Sequence, residues 1–121
     1  MEKQLFKILL FMKRRPGMSR DEFMRYYEDR HVPLALKYAN GMTAYKRTFL
    51  QPRTHFETGE CAELDFDVIT ELSFEDEETW SRTLKYLATG PMPDEIVEDE
   101  KQLFDRSSFR VATSTEFVTG L

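Results

Sequence analysis

The chain has 121 residues, of which 40% are hydrophobic and 32% charged, with a formal net charge of −5. That is enough for a single domain over residues 1–121 with a core of its own, and the acidic balance argues against a nucleic-acid binder. A lone Cys61 rules out an intramolecular disulfide. No apolar run approaches the roughly 20 residues of a membrane span, and no secretory leader is visible, so the expected compartment is the cytoplasm.

Leu5–Lys13, "LFKILLFMK", is apolar at nearly every position and lacks Gly and Pro, which predicts a strand covered on both faces. Phe6, Ile8, Leu10 and Met12 point one way, and Leu5, Leu9 and Phe11 the other. The basic run Lys13–Arg14–Arg15 reads as a solvated strand end. Pro16–Gly17 makes a turn, Ser19 with Glu22 three residues on makes a capping box, and a helix follows over Arg20–Asp29. Pro33 is expected to break that helix near His31 and to open a short second turn through Tyr38, closed at Ala39–Gly41.

Met42–Gln51 reads as a second strand, and Pro52–Ala62 as a long hairpin-type loop. Leu64–Leu72 alternates as a third strand, with Leu64, Phe66, Val68, Thr70 and Leu72 opposite Asp65, Asp67, Ile69 and Glu71. Ser73 is placed as the cap of a helix that begins in four acidic residues, Glu75–Glu78. Its buried stripe is Trp80, Leu84 and Leu87, and Gly90–Pro91 stops it. A short helix through Leu103 and a fourth strand over Phe109–Phe117 complete the chain.

The order β-α-β-β-α-β gives an α+β, ferredoxin-like protomer: a four-stranded antiparallel sheet with helices on one face. Large residues on the other sheet face need cover. A second copy supplies it, so a homodimer is expected.

The stretch "MKRRPGMSRDEFMRYYEDRHVPLALKY" (residues 12–38) closely resembles the signature of the EthD family of the dimeric α+β barrel superfamily. "VEDEKQLFDRSSFRV", near the end, resembles the family more weakly. The resemblance implies a protomer whose sheet packs on that of its twin, forming a dimeric α+β barrel with a pocket between sheet and helices. Relatives include accessory proteins of ether degradation and decarboxylases, cyclases and isomerases of aromatic, polyketide or lactone substrates, usually without cofactors. Others in the superfamily are monooxygenases, and some bind haem.

His31 is the leading candidate catalytic residue, because imidazole gives or takes a proton near neutrality and the break at Pro33 would free its ring for a pocket. The plainer role is a cap on the last helix carbonyls. Tyr27, four residues upstream, would share its face and could bind a substrate carbonyl or stabilise an enolate. Tyr26, Phe49, Phe66 and Trp80 are the expected substrate-binding walls, with core packing as the ordinary alternative for aromatics.

Asp65, Asp67 and Glu71 read as a solvated strand face. His55 with Glu57, Glu60 and Cys61 lacks any compact metal motif, so neither metal nor cofactor is expected. Three functions compete. The first is cofactor-independent proton transfer (decarboxylation, dehydration, cyclisation or isomerisation) on an aromatic or polyketide-like molecule, with His31 as general acid or base. The second is a non-catalytic binding or accessory protein for a partner oxidase. The third is a cofactor-free monooxygenase.

Overall fold

The structure, a computed structural model, describes residues 6–121. Its elements are β1 (Phe6–Arg14), α1 (Arg20–Tyr26), a π-helical turn (Tyr27–His31), α2 (Val32–Leu36), β2 (Met42–Phe49), β3 (Val68–Phe74), α3 (Glu77–Thr89), α4 (Asp94–Leu103) and β4 (Phe104–Ala112). The strands form one antiparallel sheet in the order β2-β3-β1-β4, the ferredoxin-like α+β arrangement expected of the sequence. Leu5 lies outside the described residues.

The capping box forms as expected. The Ser19 hydroxyl accepts from the Glu22 N–H at 3.1 Å while Glu22 reaches back to the Ser19 N–H. The helix does not break at His31. It widens by one π turn, in which the Val32 N–H bonds the Tyr27 carbonyl, and then runs on as α2 with Pro33 in its first turn. A proline lacks the donor for an i→i−4 bond and crowds the carbonyl four residues back; a wide turn relieves both, so the helix absorbs Pro33 instead of ending there.

Several boundaries differ from the sequence reading, and β4 ends at Ala112 rather than Phe117. β3 begins at Val68 rather than Leu64, because Asp67 is taken up by Arg14 instead of continuing the alternation. Ser73 is buried inside β3, and the cap of α3 is Asp76, whose carboxylate accepts from the Thr79 N–H at 2.7 Å. The fourth strand starts five residues early, at Phe104, directly after α4. Its register against β1 slips between Phe11 and Lys13, and there the Ser108 hydroxyl takes the Lys13 N–H at 2.9 Å in place of a ladder carbonyl.

The core lies between sheet and helices. Met12, Phe23, Tyr27, Val68, Leu103 and Phe104 pack at one end, and Ile8, Leu72 and Phe74 at the other beneath Trp80, Leu84 and Leu87 of α3. Aromatic rings meet edge-on through the first cluster, Phe23 against Tyr27, Phe49 and Phe104. The outer sheet face is only half covered by its own chain: Leu9, Phe11, Phe66 and Ile69 are partly exposed there.

Candidate functional site

The helix that carries His31 lies on the inner sheet face, and the π turn keeps Tyr27 and His31 both buried on it. Between helices and sheet lies a cavity of about 620 Å³, within the range of small-molecule sites. Its lining is mostly apolar, including Leu10, Met12, Leu72, Phe74, Leu87, Ile96 and Phe109. Polar groups also border it: among them are His31, Tyr27, Tyr45 and Thr70 on one side and Glu100, Arg106 and Arg110 on another, with Lys37, Tyr38, Asn40, Thr83 and Tyr86 elsewhere on the wall.

His31 is not a cap on terminal carbonyls. Its Nδ1 lies 2.8 Å from Asp99 Oδ2, and the Tyr26 hydroxyl donates to Asp99 Oδ1 at 2.7 Å. An ionised carboxylate is purely an acceptor, so this contact fixes the imidazole proton on Nδ1. Asp99 and Tyr26 are not part of the cavity lining, whereas His31 is, so Nε2 is the ring nitrogen left for a ligand. Burial holds the imidazole below its ordinary value of 6.5, with Asp99 pulling the other way. The ring is therefore a neutral base at pH 7, oriented from behind by a carboxylate as in other histidine-carboxylate pairs.

Tyr27 is buried with its ring 5.1 Å from that of His31, edge to face. Its hydroxyl is already engaged, at 2.5 Å from Thr70 Oγ1 and 3.3 Å from the Tyr45 hydroxyl. Burial, above all, pushes both phenols well up, so neither ionises near neutrality. Glu100 also borders the cavity and is raised by burial, against the pull of Arg106 at 3.4 Å.

The expected aromatic walls are placed elsewhere. Tyr26 sits behind the site as a partner of Asp99. Phe49 packs in the core against Phe23 and Tyr27. Trp80 stacks near Phe6 and donates its indole N–H to the Lys7 carbonyl at 2.9 Å. Phe66 stands on the opposite face of the sheet against Phe11. None of the four lines the cavity, because β3 starts too late to carry Phe66 inward and α3 presents Leu87 and Thr83 there instead.

Sequence reading missed Asp99, Tyr45, Thr70 and Glu100 as site residues. A signal existed for two of them. Ile96, Asp99, Glu100 and Leu103 fall at i, i+3, i+4 and i+7, the spacing of a buried stripe, so two acids stand where a helix should be apolar.

Away from the cavity, Asp67 is almost fully buried and takes the Arg14 N–H at 2.8 Å and its guanidinium at 2.7 Å. It does not face water, and neither is Arg14 a free strand end. His55 uses Nδ1 to accept the Glu57 and Thr58 N–H groups of its own loop, and Cys61 is exposed. Among the described residues, no cluster of side chains could hold a metal ion, and no helix is long and apolar enough to cross a membrane.

The EthD domain family model matches residues 15–107, a span that includes the π turn, Asp99 and most of the cavity wall. The chain belongs to the EthD family. Among solved structures, it is similar to an EthD family protein of Bacillus halodurans C-125 (TM-score 0.58, 18% identity, 94% of this chain and 100% of that one). An EthD-like protein of Ralstonia eutropha JMP134 gives a TM-score of 0.55 at 16% identity over 93% of this chain and 90% of its own. A protein of Arabidopsis thaliana gives 0.54 at 15% identity over 96% and 99%. These likenesses show a shared fold. No curated protein matches the chain.

Proposed function

We propose that this EthD protein is a cofactor-independent enzyme of proton transfer on an aromatic or polyketide-like small molecule, with His31 as the acid-base group. The observation that carries the reading is the Asp99-held imidazole at the wall of a mostly apolar cavity. Nε2 would accept a proton from carbon next to a carbonyl, and the electron pair would move onto the carbonyl oxygen as an enolate. Returning that proton to another atom gives an isomerisation; attack of the enolate carbon, or loss of a leaving group, opens cyclisation or dehydration. Decarboxylation reaches the same enolate when Nε2 takes the carboxyl proton of a β-keto acid, CO₂ leaves, and Nε2 returns that proton to the enolate carbon. Tyr27 supports the imidazole through its edge-on ring.

The half-covered outer sheet face, with Leu9, Phe11, Phe66 and Ile69, supports a homodimer as the working unit. The test of the enzymatic reading is exchange of acidic C–H for deuterium in enolisable aryl ketones and β-diketones, followed by NMR in D₂O. The protein should accelerate exchange, and His31→Ala should cut that acceleration roughly 10²–10⁴-fold without changing the fold. Binding of these compounds with exchange no faster than in buffer would instead favour the accessory-protein reading.

A further inference from the structure

A count of hydroxyl protons along the sheet floor identifies a second polar contact for the ligand. Thr70, Tyr27 and Tyr45 form a row, Oγ1 to Oη at 2.5 Å and Oη to Oη at 3.3 Å, and all three border the cavity. Each hydroxyl carries one proton, and two contacts consume two of the three at most. Among the described residues the three hydroxyls make no other hydrogen bond. One proton is therefore left over: on Tyr45, on Thr70 or, where both neighbours donate to it, on the fully buried Tyr27. Thr70 is 1% exposed, while Tyr45 is half-buried and joined to the row by the longer contact. A spare donor at the edge of this open space is available to a ligand oxygen that enters and displaces solvent.

We infer that the Tyr45 hydroxyl is the donor that binds and orients a ligand oxygen, a carbonyl or enolate oxygen, while Tyr27 acts behind it as a relay to Thr70. This rests on the proposed proton-transfer reading and narrows its substrate class to compounds with an oxygen acceptor on an otherwise apolar frame. Tyr45 is built for the task. Arg47 lies over its ring at 4.9 Å, and Arg47 is itself held by Glu28 through two bonds of 2.6 and 2.9 Å. The ring is thus fixed before any ligand arrives, and little freedom is lost on binding. Tyr27, whose hydroxyl is committed on both sides, is the poorer partner for substrate than its place beside His31 implies.

The test uses two probes of nearly equal shape, 2-acetylnaphthalene, which has a carbonyl, and 2-ethylnaphthalene, which has none. Calorimetric titration of the native protein should show the ketone bound about tenfold more tightly, the scale of one net hydrogen bond. Tyr45→Phe should abolish the preference and leave 2-ethylnaphthalene affinity unchanged. On the native protein alone, the carbonyl infrared band of the bound ketone should move to lower frequency than in hexane, and the shift should vanish in Tyr45→Phe. Equal binding of the two probes, or a preference that survives Tyr45→Phe and is lost in Thr70→Val, would overturn the inference while leaving the cavity as a ligand site. Failure of both probes to bind would overturn the ligand-site reading and this inference together.

Discussion

Asp67 is buried and Asp99 is partly buried, and the two carboxylates do opposite things. Asp67, with 2% of its side chain exposed, meets the Arg14 guanidinium and backbone N–H, with Arg20 and Lys13 within 4 Å. Asp99, 13% exposed, meets a phenol and an imidazole. Arginine never gives up its proton at ordinary pH, so the partners of Asp67 are permanent ions and the cluster is a fixed joint between β1, α1 and the segment that enters β3. The partners of Asp99 include the one kind of side chain whose ordinary value lies near neutrality, and that side chain borders the cavity. A buried acid beside a permanent cation holds a fold together. The same acid beside a titratable donor sets a proton's position.

The largest effect should come from removing charge at the second acid alone. Asp99→Asn keeps size but lets an amide donate, which favours the wrong imidazole tautomer, so ketone deuterium exchange should fall roughly 10²-fold or more while the melting temperature changes little. A variant that kept native exchange would show Asp99 to be structural, like Asp67, and erase the distinction.

Asp67→Asn should do the reverse. With its guanidinium partner left short of a counter-charge in a half-buried site, the protein should lose about 3 kcal/mol in urea unfolding. Exchange per folded molecule should be untouched. Loss of exchange in the folded fraction would mean that the joint and the cavity are coupled.

A smaller effect is expected from pH. The imidazole binds its proton less readily folded than unfolded, so below its ordinary value of 6.5 the unfolded chain takes up more protons. Stability should therefore hold above that pH and decline as pH falls from 6.5 towards the lower folded value, and His31→Gln should remove that decline. A stability curve that instead rose on acidification through this window would place a charged, stabilising imidazole at the site.

Much of this was legible in the chain. The element order, the Ser19 capping box and the inward faces of β1 and β3 follow from local periodicity, which the fold obeys wherever one residue face meets one partner. What escaped was set by contacts distant in sequence. Asp67 leaves its strand pattern because Arg14, 53 residues earlier, claims it. The fourth strand begins at Phe104 because that ring seats on Phe23 and Tyr27, a pull no nearby residue announces. Pro33 misled for a different reason: its local rule is sound, but the π turn is a way of satisfying it without stopping. The aromatic walls failed because ring size predicts burial and not which side of the sheet is buried, as Phe66 shows.

The π turn has a consequence for how this chain can tolerate change in length. Phe23, Tyr27, His31 and Ala35 are spaced by four, and in a straight α-helix such a series drifts about 40° around the axis per step. A turn one residue wider winds that drift back, so that Tyr27, His31 and Ala35 all face the same cavity. Removal of one residue between Tyr27 and Pro33 would restore ordinary winding and aim the rungs of this ladder in diverging directions with no side chain altered. In this helix, spacing along the backbone is itself part of the site.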